Sequence, residues 1–499
     1  MKRAWLALPV LLAAALAWPG ASFAKTVLDV AVPSNLNTLD PAKTKIGEEY
    51  NVVFLVFSGL TEIDRNMKLQ PDLATSWEHS ADLKSWTFHL RQGVKFHNGE
   101  DFTAEDVIAT VNHIRDKSVG SPARVNFEIV QAMKAPDPHT IEFTLSTPYG
   151  GFPDIFGDRQ ARILPHDKID SIATTPIGTG PFKFVSFMPG DKVVLAKNPS
   201  YYKQGEPKLD GVVFHIMPEA AARMTALETG QIDLMWDVPL ELLKDVQAKP
   251  GIAVDSVSTS TWDGIIMRDD EPPFNDVRVR QAVALAVDAQ KMVDLVLFGN
   301  GTPTHSPIPP ASPYYNNDLP PLKPDIAAAK KLLAEAGHPD GFEVSLYVPE
   351  GRASRERLGV AMREFLKPIG ITVNIQRVPW DQFIKEIEGK AKFYTDGFYS
   401  RPTVDTSLYP WYASTGSWNT TLWHFKSAEI DKVLDAARQS ADEAERTKLY
   451  KEFQALAVKE VPGVVPYVLN HANAYRKELY GFHSTPMMWL DLRDVAIGG

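Results

Sequence analysis

The 499-residue chain contains no cysteine. This excludes structural disulfides, thiolate metal sites and cysteine nucleophiles. It also excludes an N-terminal lipid carried on cysteine. The familiar catalytic layouts are missing as well. There is no GxSxG elbow, no HExxH and no phosphate-cradling GxxxxGK[ST]. Gly178-Thr179-Gly180 runs into Pro181 and so cannot open a dinucleotide-binding helix. The 12 histidines are scattered, with no i,i+4 pair enclosing a carboxylate. Carboxylates are abundant, and pairing any two as acid and base would be arbitrary. Beyond the N-terminus, no apolar run approaches the about 20 residues a membrane span needs.

What is present begins with an export signal. Lys2 and Arg3 precede an apolar run over 5–18, and Pro19 and Gly20 break it. Ser22-Phe23-Ala24 then puts small residues at the −3 and −1 positions of a cut after Ala24. Residues 1–24 are thus expected to be a signal peptide, and 25–499 the mature protein, free in a periplasm. Composition is that of a globular protein, 44% apolar and 23% charged. The net charge is −10, and more acidic still without Lys2 and Arg3. Such a balance argues against nucleic acid or an anionic membrane as the main partner.

The middle and C-terminal thirds alternate strand and helix. Strands are expected at 212–217, 232–236, 342–348 and 371–378, and helices at 219–229, 355–366 and 380–387. Short β-α-β-α connections predict an α/β fold with mixed sheets flanked by helices, where ligands bind beyond strand ends or between domains. Residues 62–146 read differently. Trp86, Phe88 and Leu90 alternate on one face of a strand, and Gly93 turns the chain. Thr103 opens a helix with Asp106 as its capping partner, and 140–145 is another strand. This predicts an antiparallel module with its own helix, inserted into the first part of the fold. The proline-rich stretch 302–324 predicts a long extended loop of the kind that often carries function.

A series of segments carries a resemblance. Leu73-Ala74-Thr75-Ser76-Trp77-Glu78 leads into Trp86-Thr87-Phe88-His89-Leu90-Arg91 and Gly93-Val94-Lys95-Phe96-His97-Asn98-Gly99. Phe102-Thr103-Ala104-Glu105-Asp106-Val107, Gly178-Thr179-Gly180-Pro181-Phe182 and Asn198-Pro199-Ser200-Tyr201-Tyr202 follow in order, then Pro272-Pro273-Phe274-Asn275-Asp276-Val277-Arg278. Together they resemble the bacterial extracellular solute-binding proteins of the dipeptide/oligopeptide/nickel class, family 5, over essentially the whole mature chain. Most of these residues are turn glycines, sheet faces and helix starts, so the resemblance speaks of fold more than of ligand.

The resemblance implies a two-lobed periplasmic binding fold with an inserted third subdomain. Lobe I is then expected over 25–62, 174–260 and 473–499, the insert over 63–173 and lobe II over 261–472. Crossovers fall near 258–264 and 469–475, where a few torsions can rotate the lobes. The implied function is the substrate-binding component of an ABC importer, a monomer capturing a peptide-like, opine-like or other small polar solute. Its partners are then the permease and ATPase of the inner membrane, and it needs no cofactor, metal or catalytic residue. A secreted hydrolase with an interdomain active site, or a sensory or chaperone-like periplasmic partner, are the other readings.

Peptide binders of this class place a carboxylate just after a Gly-Trp strand end to hold the ligand's amino group. The matching segment here is Gly397-Phe398-Tyr399-Ser400-Arg401, and the carboxylate position falls on Arg401. A guanidinium cannot anchor an ammonium but can clamp a carboxylate. Asp405 is either a shifted anchor or the partner that neutralises Arg401. Arg268 is either a second cleft cation or part of a solvated turn with Asp269 and Asp270. Trp262, at the first crossover, and Trp418-Asn419 are the aromatic and amide candidates for ligand contact, while Trp411 and Trp423 read more readily as packing.

Overall fold

The computed structural model describes residues 26–401 and 403–498. The signal segment 1–24 and its cut after Ala24 lie outside the described residues.

The inserted module forms as the alternation predicts. Ser85–Leu90 buries Trp86, Phe88 and Leu90 on one face. It is an inner strand of a four-stranded antiparallel sheet in the order Ala74–His79, Ser85–Leu90, Thr140–Leu145, Val130–Asp137. The helix Ala104–Arg115 starts at Thr103, whose backbone N–H donates to Asp106 Oδ2 at 2.8 Å. Its Val107, Val111 and Ile114 are fully buried against the sheet. Phe88, Phe143, Phe152 and Phe156 meet edge to face at the centre. Burial of each such ring contributes about 1.5–3 kcal/mol.

Both lobes share one mixed sheet, 11-stranded among the described residues. In lobe II, Thr372–Val378, Glu343–Pro349 and Phe393–Phe398 run parallel. The helix Ala353–Leu366 connects the first two, as β-α-β order requires. In lobe I, Val27–Val32 lies parallel to Gly211–Ile216 on one side and Leu234–Met235 on the other.

Two long strands, Ile252–Met267 and Gly463–Arg476, join the halves. They pair antiparallel from Ile252 opposite Arg476 to Ile266 opposite Gly463, with irregularities between Ser258 and Trp262 and between Asp263 and Ile265. The crossings expected at 258–264 and 469–475 are therefore stretches of continuous strand rather than breaks between strands. A bulge lets a strand bend without surrendering the ladder on either side.

Elsewhere the differences are local. The helix Ala220–Thr229 ends where Gly230 takes φ 77°, as expected. The strand expected at 232–236 pairs only over Leu234–Met235. The helix expected at 380–387 is a single α-turn, Trp380–Gln382, followed by a π-helix, Phe383–Ile387.

Candidate functional site

The carboxyl end of Phe393–Phe398 delivers the chain into the space between the lobes. Phe398 stands opposite Trp262 on the first crossing strand. Trp262 is 1% exposed and packs edge-on to Trp411, ring centres 4.8 Å apart. Phe398 meets the same Trp411 at 5.4 Å. Trp418 stacks on Trp411 at 5.9 Å, keeping 38% of its surface exposed. Trp262, Trp411 and Trp423 are thus the floor of an aromatic stack, and Trp418 is its accessible top.

The helix Val404–Tyr412 fixes that stack by burying Leu408, Trp411 and Tyr412. Thr403 caps it, accepting from the Thr406 N–H at 3.1 Å. Asn419 then ties down the loop that follows. Its amide donates to the carbonyls of Ala413 (2.8 Å) and Phe425 (3.0 Å) and accepts from the Phe425 N–H (2.8 Å). Fully buried and fully used, it has nothing left for a ligand. The expectation that Asn419 contacts ligand is therefore corrected: it staples the loop that presents Trp418.

Arg401 projects into a cavity of about 330 Å³ between the lobes. Such a volume lies at the small end for ligand pockets. The inserted module contributes Met67, Lys68 and Asp154, and the proline-rich loop contributes Pro307, Ile308 and Tyr314. The partly buried guanidinium lies 4.8 Å over the Phe398 ring and, among the described residues, makes no ion pair or hydrogen bond. Burial, and next the charge of Arg159, lower its pKa from the usual value, against a smaller opposing pull from Asp158. Basic residues outnumber acidic ones in the lining: Lys68, Arg401 and Arg446 against Asp154 and Glu443.

The arginines around Arg401 are all engaged. Arg159, from the insert, donates to the Ser400 carbonyl at 2.5 Å, lies 4.2 Å over Tyr50 and sits 3.5 Å from Asp158. Arg446 pairs with Asp154 at 3.2 Å. Arg438 grips both oxygens of Asp405 at 2.9 and 3.1 Å, and Tyr149 donates to Asp405 Oδ2 at 3.0 Å. Asp405 is therefore neither a free anchor nor the counterion of Arg401.

Two other expected residues lie apart. Arg268 follows the far end of the crossing strand, six residues beyond Trp262, or about 20 Å at the usual rise. It donates twice to Asp270 at 2.8 Å and once to the Gly389 carbonyl at 2.8 Å. It belongs to a turn, which corrects its place in the cleft. Tyr399 is 55% exposed and outside the cavity lining. Sequence reasoning passes over Tyr50, Tyr149, Asp154 and Arg159. Their segments carry no motif; only the proline-rich loop announced itself.

Among the described residues no helix is long and apolar enough to cross a membrane. The family model for bacterial extracellular solute-binding proteins, family 5, middle region, matches residues 68–420. A glutathione-binding protein, GsiB, of Salmonella paratyphi A is 30% identical over 497 residues, covering 97% of this chain and 96% of the relative. The A. tumefaciens R10 binding protein AgaA, solved with agropinic acid, superposes with a TM-score of 0.79 at 28% identity, covering 95% and 99% of the two chains. HbpA2 of Haemophilus parasuis superposes with a TM-score of 0.86 at 25% identity, covering 95% and 100%. These are transport proteins rather than enzymes, which removes the hydrolase reading. The chain belongs to the family 5 bacterial extracellular solute-binding proteins, the periplasmic components that capture small polar solutes for ABC importers.

Proposed function

We propose that the captured solute carries an anionic group and that Arg401 holds it. The observation behind this is the unpaired guanidinium in the interlobe cavity, near two arginines, Arg159 and Arg446, that each have a carboxylate. Even a partly buried charge without a counterion is costly, and a ligand carboxylate would relieve that cost with charge-assisted hydrogen bonds. Asp405 is committed to Arg438 and Tyr149, which weighs against a peptide held by its amino group. The GsiB relatives, by name glutathione-binding, and AgaA, solved with agropinic acid, fit a peptide-like or opine-like acid. Trp418 is not in the lining of this cavity, but its partly exposed face would take the part of a larger ligand that extends beyond it.

In this reading the mature protein starts at Lys25, acts as a monomer and presents its closed form to the permease and ATPase. A thermal-shift screen tests the cargo, because a ligand stabilises by RT ln(1 + [L]/Kd). Glutathione, opine acids and acidic dipeptides should raise the melting temperature, and neutral sugars should not. A shift with neutral solutes alone overturns the assignment.

A further inference from the structure

Among the described residues, four hydrogen bonds or ion pairs link the segment 149–159 of the insert to lobe II outside the crossing strands. Tyr149 donates to Asp405 Oδ2 at 3.0 Å. The Gly150 N–H donates to the Arg438 carbonyl at 2.6 Å. Arg446 pairs with Asp154 at 3.2 Å, and Arg159 donates to the Ser400 carbonyl at 2.5 Å. None of these bonds needs a ligand atom.

Their partition between the lobes matters. Asp405 and Arg438 both belong to lobe II, so their ion pair survives opening. Tyr149 is the group that leaves, and in the closed form it is 5% exposed, with the Arg438 guanidinium 5.2 Å over its ring. The carboxylate is thus held in place by its own lobe, ready to accept the tyrosine. Gly150 lets the surfaces meet. A Cβ built there would lie 2.1 Å from the Ser440 carbonyl oxygen, far inside contact distance. Gly150 is not in the left-handed backbone region, so alanine would strain nothing but the closed contact.

We propose that Tyr149, Gly150 and Asp154, docking on Asp405, Arg438, Ser440 and Arg446, are a latch that holds the lobes closed through protein atoms alone. These positioning residues set the closed-to-open ratio for every ligand, while the cavity selects among ligands. The inference rests on capture by lobe closure and is independent of the role given to Arg401.

The native chain has no cysteine, so two introduced ones can be labelled cleanly. Val125→Cys in the insert and Ile384→Cys in lobe II are 46% and 44% exposed positions. Nitroxide distances between them, measured by pulsed electron resonance on the ligand-free chain, report closure without any knowledge of the cargo. The parent is expected to show a population at the distance of the closed form. Tyr149→Phe should cut the closed-to-open ratio about tenfold, the loss for one hydrogen bond to a carboxylate. Gly150→Ala should abolish the closed population while circular dichroism shows a native fold. If that variant does not fold, Tyr149→Phe decides alone. Parent-like distances in the folded variants, or a parent already confined to the open distance, overturn the latch.

Discussion

The Arg401 guanidinium lies 4.8 Å from the centre of the Phe398 ring, three residues back along the chain. A cation over an aromatic face is steadied but not neutralised, and the contact contributes about 0.5–2 kcal/mol. The side chain is therefore held in position with its hydrogen-bonding edge unspent. Arg401→Ala should weaken an anionic ligand by about 1.5–3 kcal/mol, the scale of a hydrogen bond to a charged group. Arg401→Lys should restore only part, because an ammonium lacks the planar fork. Calorimetric titration of the two variants checks this, and unchanged affinity in the alanine variant would remove Arg401 from the site.

Asn419 should behave in the opposite way. Removing its amide leaves the carbonyl and N–H of Phe425 unpaired and buried, and takes one of two donors from the Ala413 carbonyl, which keeps the Gly416 N–H. Asn419→Ala should cost about 3 kcal/mol of stability in urea unfolding, at about 1 kcal/mol per hydrogen bond. Affinity in the folded fraction should stay within a factor of about two, since additivity holds for residues that share no partner. A large loss of affinity at unchanged stability would return Asn419 to the ligand.

These two residues show what the sequence can and cannot tell. Local signals read well: the Thr103–Asp106 cap, the alternation of Trp86, Phe88 and Leu90, and the stop at Gly230 are each decided within a few residues. The strand end at Phe398, three residues before Arg401, is a local event of the same kind. Asn419 was not legible. An amide beside tryptophans looks the same whether it meets a ligand or two carbonyls of its own loop. Arg159 and Tyr149 were illegible for another reason: their partners, Ser400 and Asp405, are 241 and 256 residues away. No spacing rule reaches across lobes. Arg268 is taken up by its neighbour, since a cation two residues before an aspartate can be satisfied by it before it can serve a cleft.

His97 ties the insert to lobe I. Its Nε2–H donates to the Gly180 carbonyl at 3.0 Å, and its Nδ1 accepts from the Gly178 N–H at 3.3 Å, so the ring is neutral. Burial pushes its pKa down to about 4. A histidine depressed in the folded state contributes stability that is complete above its unfolded pKa of about 6.5 and is lost as pH falls toward 4. Moving from pH 7 to 4.5 should therefore destabilise the wild type more than His97→Gln, by about 1–2 kcal/mol after solvent screening. Urea midpoints of both proteins at the two pH values measure the difference, and parallel losses would exclude His97 as a source.

Glu388 should act with the reverse sign. Arg355 donates to Asp396 at 2.7 Å and to Asp263 at 3.1 Å, so one guanidinium already serves two carboxylates before Glu388 joins them. Burial first, then the charge and hydrogen bond of Asp396, push the Glu388 pKa up to about 7. A raised carboxyl contributes stability that is complete below its unfolded pKa of about 4.5 and is lost as pH climbs through 7. Glu388→Gln imitates the protonated form. It should match the wild type near pH 4.5 and exceed it at pH 8 by about 1 kcal/mol, a figure reduced because the group is partly exposed. Between pH 4.5 and 6.5 the contributions of His97 and Glu388 oppose each other, so the wild-type profile alone will look flat there. Only the paired comparison of each variant with its parent separates them, and a Glu388→Gln advantage that is the same at both pH values would show that this carboxyl does not titrate in the window.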